Sequence, residues 1–155
     1  MGTVPAARQR TDSHAFVAAL ADTANALCRP AKLHFVLQEQ WQGQFLCAAP
    51  ELSRALENML DNAVRYTPAG GTVTLTISKP EDTLVFTVTD TGPGFTPEAL
   101  HKAGQFLYTD AARPGNGHQG LGLYLARSVA QAYGGKLVLA NTGTGAQVQL
   151  CLPMQ

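Results

Sequence analysis

The stretch Leu56-Glu57-Asn58-Met59-Leu60-Asp61-Asn62-Ala63-Val64-Arg65-Tyr66-Thr67-Pro68 carries two patterns at once. With Leu52 and Ala55 ahead of it, Leu56, Met59, Leu60 and Ala63 recur at the spacing of an amphipathic helix that buries one face. Pro50 stands near the start of that helix, where a missing N–H costs nothing. Beside the apolar face, Asn58, Asn62 and Arg65 fall at i, i+4 and i+7, which makes a second, polar stripe. An asparagine carbonyl is a hard oxygen ligand suited to magnesium, which takes few protein ligands beside phosphates. On these residues alone, a solvated polar face explains the stripe equally well.

Working outward, residues 1–11 are polar and read as a flexible tail. Thr11-Asp12-Ser13 are good N-cap residues for a helix over 16–27 that Pro30 ends. Leu33, Phe35 and Leu37 alternate with more polar neighbours, an imperfect strand, and a second short strand runs over 44–48 after a turn at Gly43. Beyond the asparagine helix and Gly70-Gly71, Val73, Leu75 and Ile77 alternate with threonines. Leu84, Phe86 and Val88 do the same after the turn at Pro80-Glu81-Asp82, so the two runs form an antiparallel hairpin with one buried face. Over 96–119 the pattern dissolves into a long loop with a short helix near 97–102, and a loop of that length is usually functional. A second amphipathic helix runs from about 120 to 133 and stops at Gly134-Gly135. Residues 136–140 and 147–152 close the chain as another hairpin. The expected fold class is α+β, a two-layer α/β sandwich whose mixed, largely antiparallel sheet is covered on one face by three helices, with 12–155 as one domain.

Eleven Lys and Arg balance eleven Asp and Glu. Zero formal charge argues against a nucleic acid or an acidic membrane held by bulk electrostatics. No apolar run is long enough to span a membrane, and the N-terminus lacks a signal-peptide pattern. Cys28, Cys47 and Cys151 are few and unevenly spaced, which reads as reduced thiols in a cytoplasmic protein and not as a disulfide framework or zinc site.

Two glycine signatures follow the asparagine helix in fixed order. Asp90-Thr91-Gly92-Pro93-Gly94-Phe95 ends a strand. A carboxylate there can accept a hydrogen bond from an adenine amino group, the glycines permit close backbone approach or positive φ, and Phe95 offers an apolar wall. Read alone, the segment is equally a plain turn. Gly117-His118-Gln119-Gly120-Leu121-Gly122-Leu123 opens a helix, whose free N–H groups and positive dipole end can meet phosphates. It lacks the Lys-Ser/Thr ending of a Walker loop.

The ordered set resembles the ATP-binding catalytic domain of two-component sensor histidine kinases, within the GHKL ATPase superfamily, over residues 52–153. The resemblance implies a GHKL-type ATP-binding fold with a lid over about 96–119. It also implies ATP and Mg2+ as ligands, with Asn62 holding the metal and Asn58 and Arg65 near the phosphates. Tyr66 then lines the pocket, Asp90, Gly92, Gly94 and Phe95 meet the base, and Gly120, Leu121 and Gly122 cradle phosphates. Phe106 and Tyr108 take the place of aromatic lid anchors, Arg113 is read as a solvated loop arginine, and His118 as a lid surface residue.

Hydrolytic members of the superfamily carry a glutamate four residues before the magnesium asparagine. Here that position is Asn58, which cannot act as a general base near neutral pH, and Glu57 is rotated about 100° around the helix. The missing base favours transfer of the γ-phosphoryl group over hydrolysis. Where the family often has a threonine after the last glycine turn, this chain has Ala146, with Thr142 and Thr144 as candidate substitutes. His14 lacks the continuation of a phosphoacceptor motif and reads as an ordinary residue at a helix start. No residue of this chain is therefore expected to perform covalent catalysis, and the acceptor histidine lies in trans on the dimerisation domain of a longer parent, with a response regulator downstream. The expected location is cytoplasmic, under an inner-membrane parent. An anti-sigma-type serine kinase and an ATP-sensing scaffold remain as alternatives.

Overall fold

The computed structural model describes residues 7–102 and 118–154. Strand β4 (Thr72–Ser78) alternates buried Val73, Leu75 and Ile77 with half-exposed threonines. It pairs antiparallel with β5 (Thr83–Asp90), which brings Leu75 opposite Val88 and Ile77 opposite Phe86. β7 (Ala146–Pro153) pairs antiparallel with β5, setting Leu150 against Phe86 and Leu152 against Leu84, and β6 (Lys136–Asn141) forms the edge beyond it. β2 (His34–Glu39) joins the other edge parallel to β4. The order β2-β4-β5-β7-β6 is thus mixed and largely antiparallel, as the alternation predicts.

Apart from Val85, the buried apolar residues of that register lie on one face, and helices cover it. α1 (Ser13–Ala31) lies against β2 and β4, α2 (Ala49–Tyr66) against β4 and β5, and α4 (His118–Ala132) against β6 and β7. α2 sits between the other two and supplies Leu52, Leu56, Met59 and Leu60, all fully buried. Removing a side chain such as Leu60 costs about 2–5 kcal/mol, because the close-packed surroundings cannot collapse into the space. A short helix α3 (Pro97–Lys102) follows the β5 turn where the sequence predicts it. Among the described residues, no helix is long and apolar enough to cross a membrane.

Two expectations are corrected. Gln9–Asp12, most of which falls in the segment read as a tail, is strand β1, paired antiparallel with β3 (Gln44–Cys47) in a separate two-stranded ribbon. Backbone hydrogen bonds hold that ribbon, so its polar sequence gave no alternation to read. Phe45 anchors it to the core, packing edge-on to Phe16 at 5.7 Å and against Phe86 at 6.3 Å. Nor does Pro30 end α1. It sits inside the last turn, where its absent N–H forfeits one hydrogen bond. The helix stops at a left-handed Lys32 (φ 60°), whose N–H donates to the Arg29 carbonyl while Leu33 N–H donates to Cys28, the Schellman pattern.

At its other end Asp12 is the N-cap, accepting from Ala15 N–H at 2.9 Å. The next turn ties α1 to β2, because His14 Nδ1 lies 3.0 Å from Glu39. That hydrogen bond, then the charge of Glu39, raises the His14 pKa above its ordinary 6.5. A raised pKa gives stability that is fully present below the unfolded value and lost as pH rises through the folded value. Glu39→Gln is therefore expected to lower Tm more at about pH 6 than at about pH 8.5, and equal shifts at both would show that the pair is not coupled to folding.

Candidate functional site

Asp90 is the last residue of β5 and lies opposite Val73, on the helix-covered face and 5% exposed. Its Oδ1 accepts from Gly92 N–H at 2.9 Å, which closes the turn, and from Ala146 N–H at 3.3 Å, the first residue of β7. One carboxylate oxygen therefore ties the β5 turn to the start of the last strand. Gly145 makes this possible, since a Cβ there would stand 2.0 Å from the Asp90 carbonyl oxygen.

The same turn packs on the end of the asparagine helix. A Cβ on Gly92 would lie 2.6 Å from the Tyr66 carbonyl oxygen, so that glycine serves the close approach of turn and helix end. Gly94 has φ +81°, a conformation that favours glycine. Tyr66 and Phe95 are buried, at 2% and 4% exposure. Tyr66, Asp90 and the loop through Phe95 are thus brought together at one end of the sheet.

On α2, Asn62 is 5% exposed, and its Oδ1 is the one buried side-chain polar atom without a hydrogen-bond partner among the described residues. Leaving such an oxygen unmet costs about 1–3 kcal/mol, so a buried orphan acceptor of this kind is a place to look for a ligand. Asn58, one turn earlier, is half-buried. Arg65 is turned outward and donates to Asp61 Oδ2 at 3.0 Å, an i, i+4 pair on the exposed face. Glu57, beside Asn58 in sequence, is half-buried.

α4 runs alongside α2. It begins at His118, about two residues earlier than the sequence suggests. The N–H groups without an intrahelical acceptor are then those of the first four residues, which include Gly120 and Leu121, while Gly122 falls just past them. Within the lid segment, Phe106, Tyr108, Arg113 and the run Gly115-Asn116-Gly117 lie outside the described residues.

Sequence reasoning missed Asn141. From the last position of β6, its Oδ1 accepts from Phe95 N–H at 2.7 Å and its Nδ2 donates to the Phe95 carbonyl at 2.8 Å. The amide mimics a strand partner for an irregular loop and fixes Phe95 in place. In sequence it precedes Thr142-Gly143-Thr144-Gly145, so it looks like ordinary turn chemistry. Thr142 is occupied within that turn, accepting from the Thr144 and Gly145 N–H groups. Asn141→Ala is expected to cost about 1–2 kcal/mol of stability and to loosen the loop at Phe95, visible as faster amide exchange of Phe95. Unchanged exchange there would sink the role.

The protein family described as histidine kinase-, DNA gyrase B-, and HSP90-like ATPase matches residues 47–155. Sensor histidine kinase SpaK of Bacillus subtilis is 42% identical over 106 residues, which are 67% of this chain and 23% of SpaK. The chain spans about a fifth of the length of SpaK and of other curated sensor kinases that it matches. Among solved structures, the mycobacterial sensor histidine kinase MprB superposes with TM-score 0.82 at 23% identity, covering 95% of this chain and 99% of that one. Full-length ShkA, determined in complex with AMPPNP, superposes with TM-score 0.87 at 23% identity over 99% of this chain and 32% of its own.

Proposed function

This chain belongs to the family of histidine kinase-, DNA gyrase B- and HSP90-like ATPases; on that premise we propose that, as the catalytic domain of a sensor histidine kinase, it binds Mg-ATP and delivers the γ-phosphoryl group to a histidine on a separate dimerisation domain. The observation that carries the reading is the buried, unpartnered Asn62 Oδ1. It is a hard oxygen in a position that packing alone does not explain, and it fits a magnesium ion that takes its other ligands from phosphates and water. The AMPPNP held by ShkA, a protein of the same fold, supports a nucleotide as the ligand.

In this reading Asn62 holds the metal, with Asn58 and Arg65 near the phosphates. Asp90 accepts from the adenine amino group, a donor that guanine does not present there. Tyr66, Gly92, Gly94 and Phe95 shape the base end, the free N–H groups of Gly120 and Leu121 at the start of α4 serve the phosphates, and Gly122, one residue further in, gives close backbone approach. A magnesium ion held at Asn62 would supply positive charge to offset the charge that develops on the transferred phosphoryl group. The chain's own contribution is position and fixed dipoles, and Asn58 stands where hydrolysis needs a water-activating carboxylate. The nucleophile comes from the partner's histidine, and a response regulator receives the phosphoryl group afterwards. The domain is expected to work in the cytoplasm.

The test is to mix the chain with a separately purified, histidine-bearing dimerisation domain and labelled Mg-ATP. Acid-labile, base-stable label on the partner supports the proposal. Acid-stable label would move the function to a serine kinase, and tight nucleotide binding with no transfer would leave an ATP-sensing scaffold.

A further inference from the structure

At the end of the sheet opposite Asp90 lies a groove of about 550 Å³ that no part of the nucleotide reading uses. Lys79 follows β4 six residues beyond Val73, the residue paired with Asp90. At the rise of a strand, that places the groove about 20 Å from the base-binding end. The β1–β3 ribbon forms one wall, and the end of β7 and the residue after α4 form the other.

The lining has a definite chemistry. Arg8, Arg10 and Lys79 border it, and no carboxylate does among the described residues. In a chain of zero formal charge, three cations around one groove are not a consequence of general basicity. None of the three has a carboxylate partner among the described residues. Two are nevertheless held in place. Arg8 stacks over the Tyr133 ring at 3.9 Å and donates to the Ala132 carbonyl at 2.7 Å. Lys79 Nζ lies 5.8 Å from the Trp41 ring and donates to the Glu81 carbonyl. Contacts to rings and carbonyls fix these cations without an ion pair among the described residues. Between them lie the half-buried Trp41, the exposed Gln44 and Leu46, at 53% the most exposed large hydrophobic residue described.

We propose that this groove docks an acidic protein segment that carries one aromatic or aliphatic anchor. The cations meet its carboxylates, and the anchor covers Leu46 and Trp41. The volume suits one or two such side chains and lies within the range of ligand pockets, roughly 300–1,000 Å³. Mutual charge gives register and on-rate, while the apolar contact supplies the holding energy. The inference is independent of the nucleotide site and survives its failure.

Trp41 is the only tryptophan of the chain, so its emission reports occupancy of the groove directly. The probe is a short peptide of glutamates and aspartates around one phenylalanine, titrated at low salt. The expected result is a saturable change in Trp41 emission, with affinity that falls as salt rises. Arg10→Glu combined with Lys79→Glu is expected to weaken binding at least about tenfold, and Leu46→Ala several-fold, with unchanged circular dichroism melting as the check on folding. A peptide with lysines in place of the acids should not bind, and one with alanine in place of phenylalanine should bind more weakly. Equal binding by the double variant, or equal binding of the alanine peptide, would overturn the proposal. Affinity for anionic phosphatidylglycerol vesicles with none for the peptide would overturn it in favour of a lipid surface.

Discussion

Asn62→Ala is expected to abolish the magnesium-dependent part of ATP binding and to cut phosphotransfer at least about a hundredfold, while leaving the fold intact. The asymmetry follows from the burial. Asn62 Oδ1 has no hydrogen-bond partner among the described residues, so its removal relieves an unmet acceptor and breaks no network. The thermal midpoint of the variant without nucleotide should therefore match or exceed that of the wild type. This combination, unchanged or higher stability with lost metal dependence, separates a ligand-bearing residue from a structural one. Calorimetric titration with ATP, with and without magnesium, reads it. If the variant keeps the wild-type magnesium dependence, the metal is held elsewhere and the proposed site is misplaced.

The second large effect concerns Asp90, where recognition and architecture share one side chain. Asp90→Ala removes the acceptor of the Gly92 and Ala146 N–H groups, one half-buried and the other buried. It is expected to lose about 2–3 kcal/mol of stability together with adenine binding, and so cannot tell the two roles apart. Asp90→Asn can. Its carbonyl oxygen keeps the two N–H donors, since turning its NH2 toward them would set donor against donor. The other carboxylate oxygen becomes an NH2 that repels the amino group of adenine. The expected result is a Tm within a few degrees of wild type and a loss of ATP and ADP affinity on the order of a hundredfold, with or without magnesium. Wild-type affinity in Asp90→Asn would mean that the base is read by another group.

These two residues differ from Arg65 in a way that bears on where binding energy comes from. Arg65 is exposed and spent on an i, i+4 pair with Asp61, a contact worth a few tenths of a kcal/mol in water. For it to reach phosphates, that pair must open, which costs little. Asn62 and Asp90, by contrast, are held by burial before any ligand arrives, and such preorganisation lowers the entropy lost on binding.

The sequence alone determined most of the helix-and-hairpin content, the buried faces of the asparagine helix and of the hairpin over 72–90, and the order of three motifs along the chain. Each of those is a matter of local spacing. Leu52, Leu56, Met59 and Leu60 repeat with the helical period, and Val73, Leu75 and Ile77 with the strand period, whatever they later touch. It marked Asn62 only as part of a polar stripe beside the apolar face and Asp90 as a carboxylate between a strand and a glycine turn, and their roles came from the resemblance. The ribbon strand at 9–12 was illegible, since backbone groups make its bonds and the side chains give no pattern. The helix persisting through Pro30 was likewise a matter of capping at Lys32 and Leu33, which no propensity reports.

What only the tertiary structure decided is how the motifs meet. Gly92 lies against the Tyr66 carbonyl and Gly145 against the Asp90 carbonyl, contacts between positions far apart in the chain that require the absence of a side chain. Asn141 closes on Phe95 across 46 residues, and Arg8 from near the start of the chain and Lys79 from its middle reach a common groove. Periodicity is a property of neighbours along the chain, whereas close approach, orphaned acceptors and uncompensated charge exist only once distant segments are packed. The physical signals of this site belong to that second kind.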